Sequence, residues 1–570
     1  MSRTVRTLLV VIVLAALAVL GWRCLQAPPS PADPDAASAP TLAPQADAVP
    51  QSSDPAAQRI EADLRRLADP AMQGRETGTG GFERAAALVA ARMAEAGLAP
   101  GGDDGTWFQR VPLLTGVPLR EGARLAVERE GQVEELRFGD DFLPWSNFNT
   151  GRHAVRAEAV FVGHAIHAPG LGHDDFAGVN LRGRIAVLMP GAPDTFDHYA
   201  RAFHSATREK MQALVDRGAV GAVIVSSPQF EARLPWARMQ AAWDKPAMRL
   251  RDAEGFAVDG FPQLQAVAAV GVAQADKLLM APGRTAAQVF ERARTGKGHA
   301  FDLEATVVIE GGTRIEALDS HNVIGRLAGS DPALAGEHVV HTAHLDHVGI
   351  IGLNDGDAIH HGAIDNALGV AIMLETATMM AAAEAAPRRS QLFAALTGEE
   401  QGLLGAQHFV AHPTVPRAGL VANINIDMPV LLAPSTDAVA IGAEHSTLEE
   451  AVAAAAEEVG VKLSPDPFPE EVTFVRSDQY AFVHAGIPAV YLDGGVESAD
   501  GERDPRPALT WFLRNCYHQP CDDATQPIQY DDAARLSRLS AALATRIGND
   551  DARPSWKPGD FFGERFGSRP

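Results

Sequence analysis

The stretch LFAALTGEEQGLLG, Leu392 to Gly405, sets an apolar run directly before two adjacent glutamates. A short apolar run closed by a Thr-Gly turn reads as a fully buried strand. Glu399 and Glu400 follow that turn, and no basic residue stands beside them. Adjacent carboxylates repel. Such a pair is therefore either solvated in a loop or placed against a large positive charge, such as a bound metal. The pair alone does not choose between these.

The surrounding texture places the run in a sheet. From about residue 305 apolar runs alternate with helical patterns: HNVIGRLAG, EHVVHTAHLD, NALGVAIMLETATMMAAAEA, SQLFAALTG, LVANINIDM, STLEEAVAAAAEEVG, IPAVYLDGG and DAARLSRLSAALATRIG. Strands interleaved with helices of this length predict an α/β fold, with a mixed, mostly parallel sheet covered by helices on both faces. Upstream, AAQRIEADLRRLAD and GFERAAALVAARMAEAGL carry helical spacing on either side of QGRETGTGG. That glycine-rich loop lacks the Lys-Ser/Thr and the preceding strand of a phosphate-binding loop. Between about 145 and 300 the runs AEAVFVGHAI, GRIAVLMPG and GAVGAVIVSS predict a β-rich module of its own.

The chain of 570 residues carries a net charge of -23, which excludes nucleic acid as a partner. Arg3 and Arg6 precede an apolar run from Leu8 to Trp22, so residues 1–25 read as a signal peptide or membrane anchor and the protein as exported. Residues 26–57 are Pro- and Ala-rich and read as a disordered linker. Residues 58–144 and 301–548 flank the 145–300 module, and 549–570 is an irregular tail. Cys516 and Cys521, in CYHQPC, are expected to be bonded, as an oxidising compartment permits.

Polar candidates gather at the carboxyl ends of the predicted strands, where open α/β sheets place their sites. His344 and Asp346 close EHVVHTAHLD, Glu399 and Glu400 follow LFAAL, and Asp427 closes LVANINID. Asp365 starts a helix in HGAIDNALG, and His518 sits in CYHQPCDD. This nitrogen and oxygen donor set, without thiolate, suits a hard-to-borderline divalent cation. His341, His347, His360 and His361 are expected to face solvent or support the ligands from behind.

In this order, HTAHLDHVG, GAIDNALG, TGEEQGLLG, ANINIDM and FVRSDQYAFVHAGIPAVYL, together with MQGRETGTGG, resemble the co-catalytic di-zinc exopeptidases. That family includes secreted bacterial zinc aminopeptidases, glutamate carboxypeptidase and the transferrin receptor. The resemblance covers about residues 58–548. It implies two Zn²⁺ per chain: His344 and Asp427 on one, Glu400 and His518 on the other, and Asp365 bridging both. It implies Glu399 as general base and Asp346 as the carboxylate orienting His344 through its second ring nitrogen. It also implies that 145–300 is a protease-associated domain inserted between two parts of one catalytic domain, 58–144 and 301–548.

Arg476, Ser477, Asp478 and Tyr480 would then lie near the substrate, with Gln479 standing where the family often has histidine. Arg476 is open to two roles, pairing with Asp478 or reading a substrate carboxylate, and the pairing is favoured. The implied activity is a metallo-aminopeptidase acting on peptides. The alternatives are a carboxypeptidase or dipeptidase, and a receptor-like protein without catalysis.

Overall fold

A computed structural model describes residues 51–281, 283–351 and 358–567. The apolar run at 1–25 and most of the Pro/Ala linker lie outside the described residues. The architecture is the expected one, a large mixed sheet with helices against its faces.

The centre of the sheet is three parallel strands, His338–His344 between Ser390–Leu396 and Leu420–Ile426. All three are buried along their whole length. A parallel strand covered on both faces has no solvent side, which is why none of the three carries an exposed charged residue. Ala489–Gly494 extends the parallel set beside Leu420–Ile426. The helix Gly369–Ala381 covers one face, together with Pro55–Leu67, Gly80–Glu95 and Tyr530–Asn549. Asp54 caps the first of these outer helices and Thr79 the second, each accepting a backbone N–H through its side chain.

The 145–300 segment carries helices, among them His198–Ser205, Thr207–Asp216 and Ala286–Arg294. It departs from expectation in one way: apart from the short pair His167–Ala168 and His173–Asp174, it does not form a sheet of its own. Its strands Arg152–Phe161, Ile185–Leu188, Gly221–Val225 and Ala266–Val270 run parallel to one another and continue the main sheet. The reason is the strand Phe301–Leu327, whose first half pairs with Arg152–Phe161 and whose last residues pair with Ser390–Leu396. Its register shifts between Glu310 and Gly312. At Gly311 a Cβ would lie 2.7 Å from the His153 ring, so only glycine fits the crossing point.

The segment keeps a separate hydrophobic core. That core also draws on Leu125, Val127, Leu136 and Phe142 before residue 145 and on Leu303, Val307 and Ile309 after 300.

The C-terminal tail is not irregular throughout. Phe561–Phe566 is a helix capped by Asp560, and Phe562 and Phe566 are buried. Its aromatic rings meet Tyr199 and Phe203 of the inserted segment.

Beneath the central strands runs a buried amide network. Asn425 accepts from Thr342 Oγ1 at 2.6 Å and donates to Ser477 Oγ at 2.9 Å and to Gln479 Oε1 at 2.8 Å. Gln479 in turn donates to the carbonyls of Thr473 and Phe474. Gln479 is thus a structural tie with no exposed surface. Replacing it by Ala strands the Asn425 amide and two carbonyls. Gln479→Ala is expected to cost about 2 kcal/mol of stability, read from chemical denaturation, with the metal content of the folded protein unchanged.

Candidate metal centre

Because the three central strands are parallel and in register, their carboxyl ends open onto one place. His344 lies opposite Leu396, and Thr342 opposite Asn425. Their next residues deliver Glu399, Glu400 and Asp427. Asp365 arrives from the segment just before Gly369–Ala381, and His518 from the turn after the helix Pro505–Asn515.

These side chains form two groups. His344 Nε2 lies 2.9 Å from Asp427 Oδ1 and 3.2 Å from Asp365 Oδ1. His518 Nε2 lies 3.1 Å from Asp365 Oδ2 and 3.0 Å from Glu400 Oε2. Asp365 is shared, with one oxygen toward each group.

His347, set aside in the sequence, joins the second group. Its Nδ1 lies 2.8 Å from Glu400 Oε1 and 3.8 Å from Asp365 Oδ2. Of the two places left open for the four neighbouring histidines, facing solvent or supporting the ligands, the first does not hold, since His341, His347, His360 and His361 are buried. His341 stacks on Phe393, and His361 Nδ1 lies 3.0 Å from the Ala68 carbonyl.

Asp346 also behaves differently from expectation. Its main-chain carbonyl, not its carboxylate, accepts from His344 Nδ1 at 3.0 Å. A carbonyl only accepts, so Nδ1 carries the proton and Nε2 is the nitrogen turned to Asp427 and Asp365. The carboxylate instead accepts the backbone N–H groups of Glu399 at 3.1 Å and Glu400 at 3.3 Å. It holds the glutamate turn.

Two further residues hold the other loops. Asp522 accepts the N–H of Ile364 at 2.8 Å and of Asp365 at 3.1 Å. Arg75 is fully buried and donates to the carbonyls of Leu345, Leu67, His361 and Gly362. Sequence reading missed both. Arg75 sat in a loop read only as glycine-rich, and Asp522 followed a histidine that drew attention first. Around His518, which has a left-handed backbone (φ 54), a Cys516–Cys521 disulfide closes the turn.

Of the four residues expected near the substrate, none enters either group. Arg476 does not pair with Asp478. Its Nη1 lies 3.4 Å from Glu471 Oε2. Ser477 is buried in the network under the strands. Tyr480 packs edge-on against Phe562 and His484. Asp478 is buried with neither carboxyl oxygen hydrogen-bonded, and it feels the charges of His344, Asp427 and Asp346.

The donor set fits divalent metal. Asp346, Asp365, Glu399, Glu400, Asp427 and Asp478 crowd one place against three imidazoles. Burial and the carboxylates of Asp427, Glu400 and Asp478 push Glu399 well above the usual carboxylate range. Burial works against a charged His518, yet Glu400 and Asp365 raise it to about 10. His344 also rises well above its ordinary value, because Asp427 and Glu399 outweigh its burial. The polypeptide alone thus balances its acids by protonating histidines, which is the charge demand a metal would meet.

A family model described as peptidase family M28 matches residues 322–544. The matched region contains every residue of both ligand groups. Leupeptin-inactivating enzyme 1 of Streptomyces exfoliatus is 28% identical over 255 residues, 42% of this chain and 51% of that protein. The chain thus matches about half the length of this relative. The vacuolar membrane protease of Lachancea thermotolerans is 32% identical over 112 residues, 20% of this chain and 10% of that protein. Among solved structures, an aminopeptidase from Aneurinibacillus sp. strain AM-1 shares the fold. The TM-score is 0.50 at 17% identity, over 89% of this chain and 97% of that one.

Metal binding should release protons, since His344 and His518 hold them in the metal-free protein and must shed them to become ligands. Calorimetric titration of Zn²⁺ into chelator-treated protein is expected to tighten as pH rises from about 6 to about 8. The heat should depend on the buffer's ionisation enthalpy, and a flat affinity over this range would contradict the pairing. His347→Ala, which removes the neighbour of Glu400, is expected to weaken zinc binding by about 10–100-fold.

Proposed function

We propose that the protein is a zinc-dependent exopeptidase, an aminopeptidase that removes N-terminal residues from peptides outside the cytoplasm. The observation that carries this reading is Asp365, whose two oxygens face two separate ligand groups. A carboxylate shared in this way is what a pair of metal ions requires. His344 and Asp427 would hold one Zn²⁺, Glu400 and His518 the other, with Asp365 between them and His347 steadying Glu400. When bound, two such ions polarise a peptide carbonyl and lower the pKa of water, from 15.7 toward about 7.

The chain's own residues do the rest. Glu399 stands next to the ligand Glu400 but belongs to neither group, so its carboxylate is free to carry a proton. In the reading proposed, a Glu399 oxygen takes the proton of the attacking water and gives it to the departing amine. Asp346 fixes the turn that aims it, through the Glu399 and Glu400 N–H groups. Asp522 fixes Asp365 through its own N–H.

Residues 145–300 are read as a protease-associated module bordering the entrance. Lys245 of this segment donates to the Val348 carbonyl at 3.1 Å, close in sequence to Asp346. The basic and then apolar N-terminus supports export, by a cleaved signal or by an anchor.

A panel of aminoacyl-4-nitroanilides, with and without chelator, tests the function. Zinc-dependent release of nitroaniline is expected. Cleavage confined to peptides blocked at the amino end would turn the reading to carboxypeptidase, and bound zinc without turnover would turn it to a receptor. Glu399→Gln is expected to keep its zinc and lose about 10²–10⁴-fold in kcat. Near-normal turnover in that variant would remove Glu399 from the proton's path.

A further inference from the structure

Between the inserted segment and the residues that follow Glu400 lies a cavity of about 210 Å³. Trp145, Phe148 and Leu404 give it apolar walls, and Gln401 and Gly402, which follow the ligand Glu400 in the chain, form another side. Arg249 and Arg208 reach it from the inserted segment.

The two arginines differ in one respect. Arg208 already has a carboxylate, with its Nε 2.6 Å from Asp259 Oδ2. Arg249 has none among the described residues. It lies over the Phe148 ring, 5.1 Å from the centroid, and donates only to the neighbouring Met248 carbonyl. Asp259 also lines the cavity, but Arg208 occupies it. Burial lowers the pKa of Arg249, with Asp259 partly offsetting it, so the guanidinium has lost water without gaining an acid of its own.

The start of the helix Thr207–Asp216 adds to this. Its first two residues line the cavity, and no side chain caps it. Its positive end therefore reinforces the field of Arg249. In a chain of net charge -23, this is a cationic pocket built beside the metal centre.

The chain links the two places: Gln401 in the cavity wall follows the ligand Glu400 directly, so the wall and the second ligand group are one peptide unit apart along the backbone. We propose that the cavity receives a carboxylate of the peptide substrate downstream of the cleaved bond, with Arg249 as its counter-charge. A planar guanidinium held on an aromatic ring suits a two-pronged carboxylate contact. The carboxylate is the C-terminus of a short peptide or an acidic side chain near it. The inference rests on the peptidase reading and deepens it.

The test compares Leu-Ala-Ala with its C-terminal amide, and Leu-Ala-Glu-amide with Leu-Ala-Gln-amide, on the zinc-loaded full chain. In the unaltered protein the carboxylate-bearing member of one pair is expected to show a KM lower by about tenfold or more, the worth of a charged hydrogen bond. The pair that discriminates identifies the source of the carboxylate. Arg249→Gln should raise the KM of the preferred peptide to that of its neutral partner. Arg249→Lys, which keeps the charge but not the fork, should retain part of the preference.

Equal KM values within both pairs would overturn the proposal, as would an Arg249→Gln effect equal on charged and neutral peptides. If no peptide or anilide is cut, the peptidase reading fails separately. Calorimetric binding of the same pairs to Glu399→Gln then decides the cavity, and equal affinity for acid and amide rejects it.

Discussion

Six carboxylates driven into one buried place set the terms for this molecule. Asp346, Asp365, Glu399, Glu400, Asp427 and Asp478 meet at the carboxyl ends of parallel strands. An uncompensated buried charge costs several kcal/mol. Each acid therefore needs a partner, and the fold supplies partners of distinct kinds. Backbone N–H groups satisfy Asp346, and imidazoles flank Asp365, Glu400 and Asp427. Asp478 has neither, and burial together with the Asp427 and Asp346 carboxylates raises its pKa well above the usual carboxylate range. Divalent metal resolves what hydrogen bonds alone leave unresolved.

The scaffold shows how such a place is held. Arg75 contributes no charge pair of its own but gathers carbonyls from the ends of three segments, including the loops before His347 and before Asp365. Asp522 ties the Asp365 segment to the turn that carries His518. The ligands come from five separated stretches of chain, yet two buried residues and a disulfide fix their loops against one another. The long strand Phe301–Leu327 does the same on a larger scale. It is common to the inserted segment and to the central sheet, so the segment bordering the cavity is anchored by backbone hydrogen bonds as well as by side-chain packing.

Much of this was legible in the sequence because it depends on local pattern. The runs at 338–344, 390–396 and 420–426 carry no Asp, Glu, Lys or Arg and are buried along their length, and Thr342, Asn423 and Asn425 among them are hydrogen-bonded within the sheet. His344, Asp365, Glu400, Asp427 and His518 sit at strand ends or loops and were all brought together. What was misread has a common cause. The Asp346 carboxylate was assigned to an imidazole that its carbonyl serves, because sequence does not say which acceptor of a residue faces inward. Arg476 was paired with Asp478 by proximity in the chain, whereas Asp478 turns into the core and Arg476 turns out to Glu471. His347 was read as supporting or solvent-facing because the His341-His344-His347 spacing aligns side chains only on a helix, whereas the turn after His344 brings His347 round to Glu400.

The sequence by itself determined the layered α/β architecture and the identity of five metal-seeking side chains, His344, Asp365, Glu400, Asp427 and His518, since these follow from hydrophobic period and donor chemistry. Tertiary structure alone decided that Asp365 faces both groups, that Arg75 and Asp522 brace the loops, and that Arg249 meets a cavity next to Gln401. Those depend on residues distant in the chain being carried to within hydrogen-bonding range, and only the closed packing of the sheet and its inserted segment sets that separation.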